Sequence, residues 1–195
     1  RGAPQESIAL IGRILRINPD AADLLMIRGT LFAGLMRLNE ALGDYDRVVE
    51  LTPDNAAAWF NRGNVLRLLK RNADAVESYE RALQATPRDV EVLVNRGIAL
   101  FDLDRFDDAV ASYDKALEIN ADFAEALNNR ANVLLRLKRS AEALKDCERA
   151  VAIKPDYAEA HNNRGTGLYQ LERYDEALRS FDRAVAIEGQ FCEAW

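Results

Sequence analysis

Five stretches beginning at Ala22, Ala56, Val90, Ala124 and Ala158 repeat one pattern at a spacing of 34 residues. A period of that length restricts a chain to architectures in which each repeat buries its apolar face on its neighbours. The stretch from Ala56 to Asp89 shows the unit: AAAWFNRGNVLRLL, then RNADAVESYERALQATP, each half with apolar residues at helical spacing. Two such halves make a helix hairpin, so the chain is expected to be an all-α solenoid of antiparallel hairpins. Residues 22–55, 56–89, 90–123, 124–157 and 158–191 are the five units; residues 1–21 match only a second helix, and 192–195 begin another repeat.

The columns explain the period physically. Position eight is small in every unit (Gly29, Gly63, Gly97, Ala131, Gly165) and position twenty is always Ala (Ala41, Ala75, Ala109, Ala143, Ala177), which lets paired helices approach closely. Position 24 carries Tyr45, Tyr79, Tyr113, Cys147 and Phe181, and position 14 is always Leu. Pro19, Pro53, Pro87 and Pro155 close the second helix, with Ala121 and Gly189 standing in the same column. Asp20, Asp54, Asn55, Asp89, Asp122 and Asp156 follow, where they are expected to cap the next helix.

In the second unit Trp59, Gly63, Leu66, Ala75, Tyr79 and Pro87 stand at the signature places of the tetratricopeptide repeat, which the chain resembles over nearly its whole length. The resemblance implies a right-handed superhelix whose first helices line a concave groove. One departure recurs: the residue before the small column, Leu in the family, is Arg in all five units. The NNRG run at Asn162–Gly165 is similar to repeats of bacterial relatives of O-linked N-acetylglucosamine transferases.

A net charge of −6 and a pI near 5.0 give no field that concentrates the chain on nucleic acid or an anionic membrane. No apolar run is long enough to span a bilayer. Two cysteines, Cys147 and Cys192, make no disulfide framework, which favours a reducing, cytoplasmic setting. The half repeat before Ala22 and the four residues from Cys192 to Trp195 lack the polar caps of a finished array. A fragment of a longer array is therefore expected, with apolar ends able to self-associate end to end.

Position six is Asn61, Asn95, Asn129 and Asn163, a mediocre helix former returning in mid-helix. On the same face lie Asn64, Asn132, Arg136 and the acids Asp23, Glu91, Glu125 and Glu159. An Asn amide can donate and accept one bond each, which suits a peptide backbone. With packed helices about 8–10 Å apart and a strand rise of about 3.3 Å, one Asn would serve roughly every third ligand residue. Phe101, Leu135, Tyr157 and Tyr169 would add pockets, and the acids would favour a neutral or basic ligand. The bland alternative is that each Asn ties an adjacent helix backbone. The carboxylate clamp of chaperone-binding repeats is rejected: Asn64 and Asn95 fit it, but Phe60, Glu125 and Asn129 stand where its basic residues belong.

Arg at position seven (Arg28, Arg62, Arg96, Arg130, Arg164) calls for a partner at a core position, and position 25 is always acidic (Asp46, Glu80, Asp114, Glu148, Asp182), so an Arg–carboxylate ladder is expected. Arg at position sixteen (Arg37, Arg71, Arg105, Arg139, Arg173) is expected at the first helix's C-terminus, with the acid three residues on beginning the second. His161, the single His, falls in the column of Trp59 and Trp195 and reads as a packing residue. One His supplies neither a metal cluster nor a His-based triad, and no phosphate loop appears, so no catalysis and no cofactor are expected. The expected role is a protein-interaction scaffold holding an extended segment of a partner, with two alternatives: the substrate-recognition arm of a glycosyltransferase, and a self-assembling array.

Overall fold

The computed structural model describes residues 3–192, with side chains for residues 4–189. Among the described residues all regular structure is helical, in eleven helices. The chain divides between Leu103 and Asp104 into two compact units. In the first, α1 (Ala3–Leu15) packs on α2 (Ala22–Gly34), which pairs with α3 (Leu38–Leu51). Helix α4 (Ala56–Leu68) pairs with α5 (Asn72–Ala85); α3 packs on α4, and α5 on α6 (Val90–Phe101). The first helices α2, α4 and α6 touch in succession, so their outer stripes share one surface.

The second unit repeats the scheme. Helix α7 (Phe106–Ile119) packs on α8 (Ala124–Arg136), which pairs with α9 (Ser140–Ile153). Next, α9 packs on α10 (Ala158–Gln170), which pairs with α11 (Tyr174–Cys192), and α8 touches α10. The architecture is thus a solenoid of helical hairpins.

Close approach within a hairpin depends on the pairing of positions eight and 24. A Cβ added to Gly63 would lie 2.6 Å from the Tyr79 ring; at Gly165 the Phe181 ring would be 2.6 Å away, and at Gly29 the Tyr45 ring 2.9 Å. Where position eight is Ala131, position 24 is the smaller Cys147, and both are fully buried. The Ala column is sealed as well, with Ala41, Ala75, Ala109 and Ala143 all 0% exposed.

The first helices α2, α4, α8 and α10 end in a Schellman turn. In α4 the Lys70 N–H donates to Arg67 O at 2.9 Å and the Arg71 N–H to Leu66 O at 2.9 Å; α2, α8 and α10 close in the same way. That turn needs a residue at positive φ, and none of these is Gly: Met36, Lys70, Lys138 and Glu172 have φ of 58°, 60°, 60° and 61°. The position-sixteen arginines therefore do not complete the first helix's C-terminus, as the sequence suggested. They stand three residues past its end, four for Arg105, as N-caps of the second helices. A cation there opposes the helix dipole, and the acid three residues on neutralises it: Arg37–Glu40, Arg71–Asp74, Arg105–Asp108, Arg139–Glu142 and Arg173–Glu176 all pair. The guanidinium beside each holds Glu40, Glu142 and Glu176 below the usual carboxylate range.

The capping expectation holds at two helices only. Asn55 Oδ1 accepts from the Ala58 N–H at 3.0 Å, and Asp89 Oδ1 from the Glu91 and Val92 N–H groups. Helices α2, α8 and α10 start after Ala21, Phe123 and Tyr157, with no side-chain cap. Asp20, Asp122 and Asp156 sit one residue too early, and Asp20 instead accepts from Arg47. Helix α11 runs through Gly189 to Cys192, where no proline interrupts it. The side chain of Cys192, and Trp195, expected to open a further repeat, lie outside the described residues.

Candidate functional site

The polar stripe of the first helices is built in each unit from the same helix faces, and its amides differ in how much bonding capacity remains. Asn95 Nδ2 donates to Glu91 O of its own helix at 2.9 Å, which leaves its Oδ1 open. Asn64 Oδ1 accepts from the Tyr79 hydroxyl at 2.8 Å, a bond that orients the core aromatic. The Asn61 side chain makes no hydrogen bond among the described residues. Glu91 is exposed beside them, and Phe60 lies 6.2 Å from the Tyr79 ring, centroid to centroid.

In the second unit Asn163 Nδ2 donates to Asn128 Oδ1 at 2.8 Å, and Asn128 Nδ2 donates to the Tyr157 hydroxyl at 3.3 Å. Asn163 thus reaches a neighbouring helix, through a side chain rather than its backbone. The Asn129 and Asn132 side chains make no hydrogen bond among the described residues. Together Asn128, Asn129, Asn132, Glu159, Asn162, Asn163 and Glu188 line an open polar pocket of about 350 Å³. Of these the sequence pointed to Asn129, Asn132, Asn163 and Glu159. Asn128 and Asn162 precede the Asn column by one residue and were legible as the NN pair; nothing in the periodicity singled out Glu188, on α11.

Burial pushes the Tyr157 phenol up to about 12, and the Glu159 and Glu125 carboxylates add to the shift. The ring is therefore a neutral hydrogen-bonding group at any physiological pH. Glu125 lies 3.9 Å from Lys154 Nζ, and Arg136 is exposed at the end of α8. Tyr169 is 62% exposed and meets Tyr174 edge to face at 5.5 Å. Leu135 is a correction: it is 5% exposed, beside Gly167, and forms core rather than a pocket wall. Phe101 is half-buried.

The arginine column belongs to the fold's frame. Arg62 Nε donates to Asp46 of the preceding repeat at 2.7 Å, Arg96 pairs with Glu80, and Arg130 with Asp114. The ladder has a second rail that the sequence reading missed, position 23 of the same hairpin. Arg28 forks onto buried Asp44 at 2.8 and 2.6 Å, Arg62 donates to Ser78, and Arg130 forks onto buried Asp146 at 2.7 Å. Burial costs of these charges are offset by two-ended pairing. In the last repeat the Arg164 Nε is buried with no hydrogen-bond partner among the described residues.

His161 repeats the bond of the Trp it replaces. Trp59 Nε1 donates to Pro53 O at 2.8 Å, and His161 Nε2 lies 3.0 Å from Pro155 O. A carbonyl only accepts, so the proton sits on Nε2, and the buried Nδ1 has no partner. The ring ties down the turn before its helix. Among the described residues no group of three or more metal-ligating side chains gathers, and no helix is long and apolar enough to cross a membrane.

Solved structures similar to the chain carry the same fold. MamA matches with a TM-score of 0.79 at 21% identity, over 85% of this chain and 96% of that one. MamA from Desulfovibrio magneticus RS-1 gives 0.81 at 15%, over 87% and 96%. YrrB, a TPR protein with an unusual peptide-binding site, gives 0.76 at 24%, over 92% of each chain. No protein of curated function matches the chain in sequence. Family models for the tetratricopeptide repeat match residues 28–90, 94–158 and 158–191. With its hairpins, its Gly–aromatic pairs and those matches, the chain belongs to the tetratricopeptide repeat family.

Proposed function

We propose that the protein is an interaction scaffold that holds an extended peptide segment of a partner along the polar face of the first helices within a unit, α2, α4 and α6 in one and α8 and α10 in the other. The observation that carries the reading is the unspent bonding capacity of that face: the side chains of Asn61, Asn129 and Asn132 make no hydrogen bond among the described residues, and Asn95 spends one N–H on its own helix. A mid-helix Asn is a cost to the helix, and the open amides of either unit match a backbone's donors and acceptors. The family supports a binding role, and YrrB, similar in fold, is a peptide-binding TPR protein. A glycosyltransferase's recognition arm, the role suggested by the NNRG run, would use the same face. The test compares what the protein and a folded Asn95→Ala/Asn129→Ala variant capture from a lysate of the source cell. Loss of a captured partner in the variant supports the face; unchanged capture sinks it.

Exposed apolar side chains on α1 and α11 favour a second reading, self-association. Leu178 and Val185 on α11 are 61% and 69% exposed, whereas Leu42, Val76, Val110 and Leu144, in the column of Leu178, are 5–9% exposed. Leu10 on α1 and Ile17 in the turn that follows it are bare too, 58% and 89% exposed. A second copy covering these stripes would bury them. Light scattering that stays monomeric to high concentration would contradict this.

A further inference from the structure

We propose that the pocket formed by α8, α10 and the end of α11 receives a lysine or arginine side chain of the bound segment, which makes the scaffold selective for a basic residue at one ligand position. The inference rests on the peptide-binding reading and adds to it the identity of one ligand side chain.

The pocket has two carboxylates, Glu159 on α10 and Glu188 on α11, and no Lys or Arg among its lining residues. Elsewhere in the chain acids meet cations repeatedly: Asp44, Asp46, Glu80, Asp114 and Asp146 pair with the arginine column, and Glu40, Asp74, Asp108, Glu142 and Glu176 with the cap arginines. Glu159 and Glu188 form no ion pair among the described residues. Both are exposed, so neither carries a burial penalty that a structural partner would have to offset. Their charge is available to a ligand.

The wall between them is preorganised and amide-rich. Asn128, 5% exposed, is held on both ends of its amide, by Asn163 at 2.8 Å and the Tyr157 hydroxyl at 3.3 Å. The Asn129 and Asn132 side chains project from the same helix with no hydrogen bond among the described residues. A guanidinium or ammonium offers only donors. The carboxylates and the amide oxygens offer acceptors, and a cation entering here finds several without displacing any existing pair. About 350 Å³ of open space admits the long stem of either side chain. An anionic side chain would meet two like charges instead.

Selection from a library of random dodecapeptides displayed on phage, read by sequencing, tests this. The protein is expected to enrich peptides with Lys or Arg at one fixed position. A Glu159→Gln/Glu188→Gln variant should lose that preference while still enriching peptides through the remaining face. A synthetic peptide from the enriched set should bind this variant about tenfold more weakly, a value set by removing two partly screened charges. Both residues are exposed, and circular dichroism verifies that the variant is folded. Enrichment without a basic position, or with one that persists in the variant, overturns this inference and leaves the peptide-binding reading standing. Failure of the protein to enrich any peptide overturns both.

Discussion

Tyr79 shows how a single residue sets the spacing of a hairpin here. Its ring occupies the volume that a side chain on Gly63 would need, and its hydroxyl is held by Asn64. The same exchange of volume explains why the fourth repeat breaks two columns together, with Ala131 facing Cys147. Cys147→Tyr alone is predicted to destabilise the protein by about 1–3 kcal/mol, because the ring has no place against the Ala131 methyl. Adding Ala131→Gly should restore most of that loss, measured as the midpoint of thermal or urea unfolding. Equal destabilisation by the single and the double variant would show that the two columns are independent. Burial raises the Cys147 thiol to about 12, so this cysteine is a packing residue and not a reactive one. These pairings were readable as columns in the sequence. Their partners were not: the small column explained close approach, but only the fold brings position eight to face position 24.

At the level of the element, helix existence and pairing followed from the period, while helix ends followed from local bonds that periodicity does not carry. Asp20, Asp122 and Asp156 look like caps and miss by one residue, whereas Asn55 and Asp89 stand directly before the helix and do cap it. The cap arginines look like helix ends and are helix beginnings, because the Schellman turn takes up the two residues between. Gly43 lies in the middle of α3, exposed, with nothing within 4 Å of the Cβ it lacks. Gly43→Ala should therefore stabilise the protein by about 0.5–1 kcal/mol, since it removes backbone entropy from the unfolded chain without a clash. A melting temperature that falls on this substitution would contradict the packing described for α3.

For the whole molecule, the polar and charged columns divide into two kinds of work. The arginine column, which the sequence marked as a departure from the family, is satisfied internally at Arg28, Arg62, Arg96 and Arg130 and belongs to the frame. The asparagine column was equally legible, but a repeated polar column looks the same whether its partners are internal or external. Only bond-by-bond accounting separates Asn163, tied to Asn128, from Asn61 and Asn129, which keep their amides open. Leu135 and Tyr169 share one column and differ likewise, the first buried and the second 62% exposed.

The most direct test of the peptide-binding account follows the side-chain amide resonances of Asn61, Asn95, Asn129 and Asn163 in a ¹⁵N-labelled sample. A peptide selected by the protein is titrated in. The account predicts that the amides of each unit, Asn61 with Asn95 and Asn129 with Asn163, shift together, while residues facing outward on α3, α5 and α9 do not move. Tight binding that leaves the four amides unshifted and perturbs the second helices or the ends would contradict it.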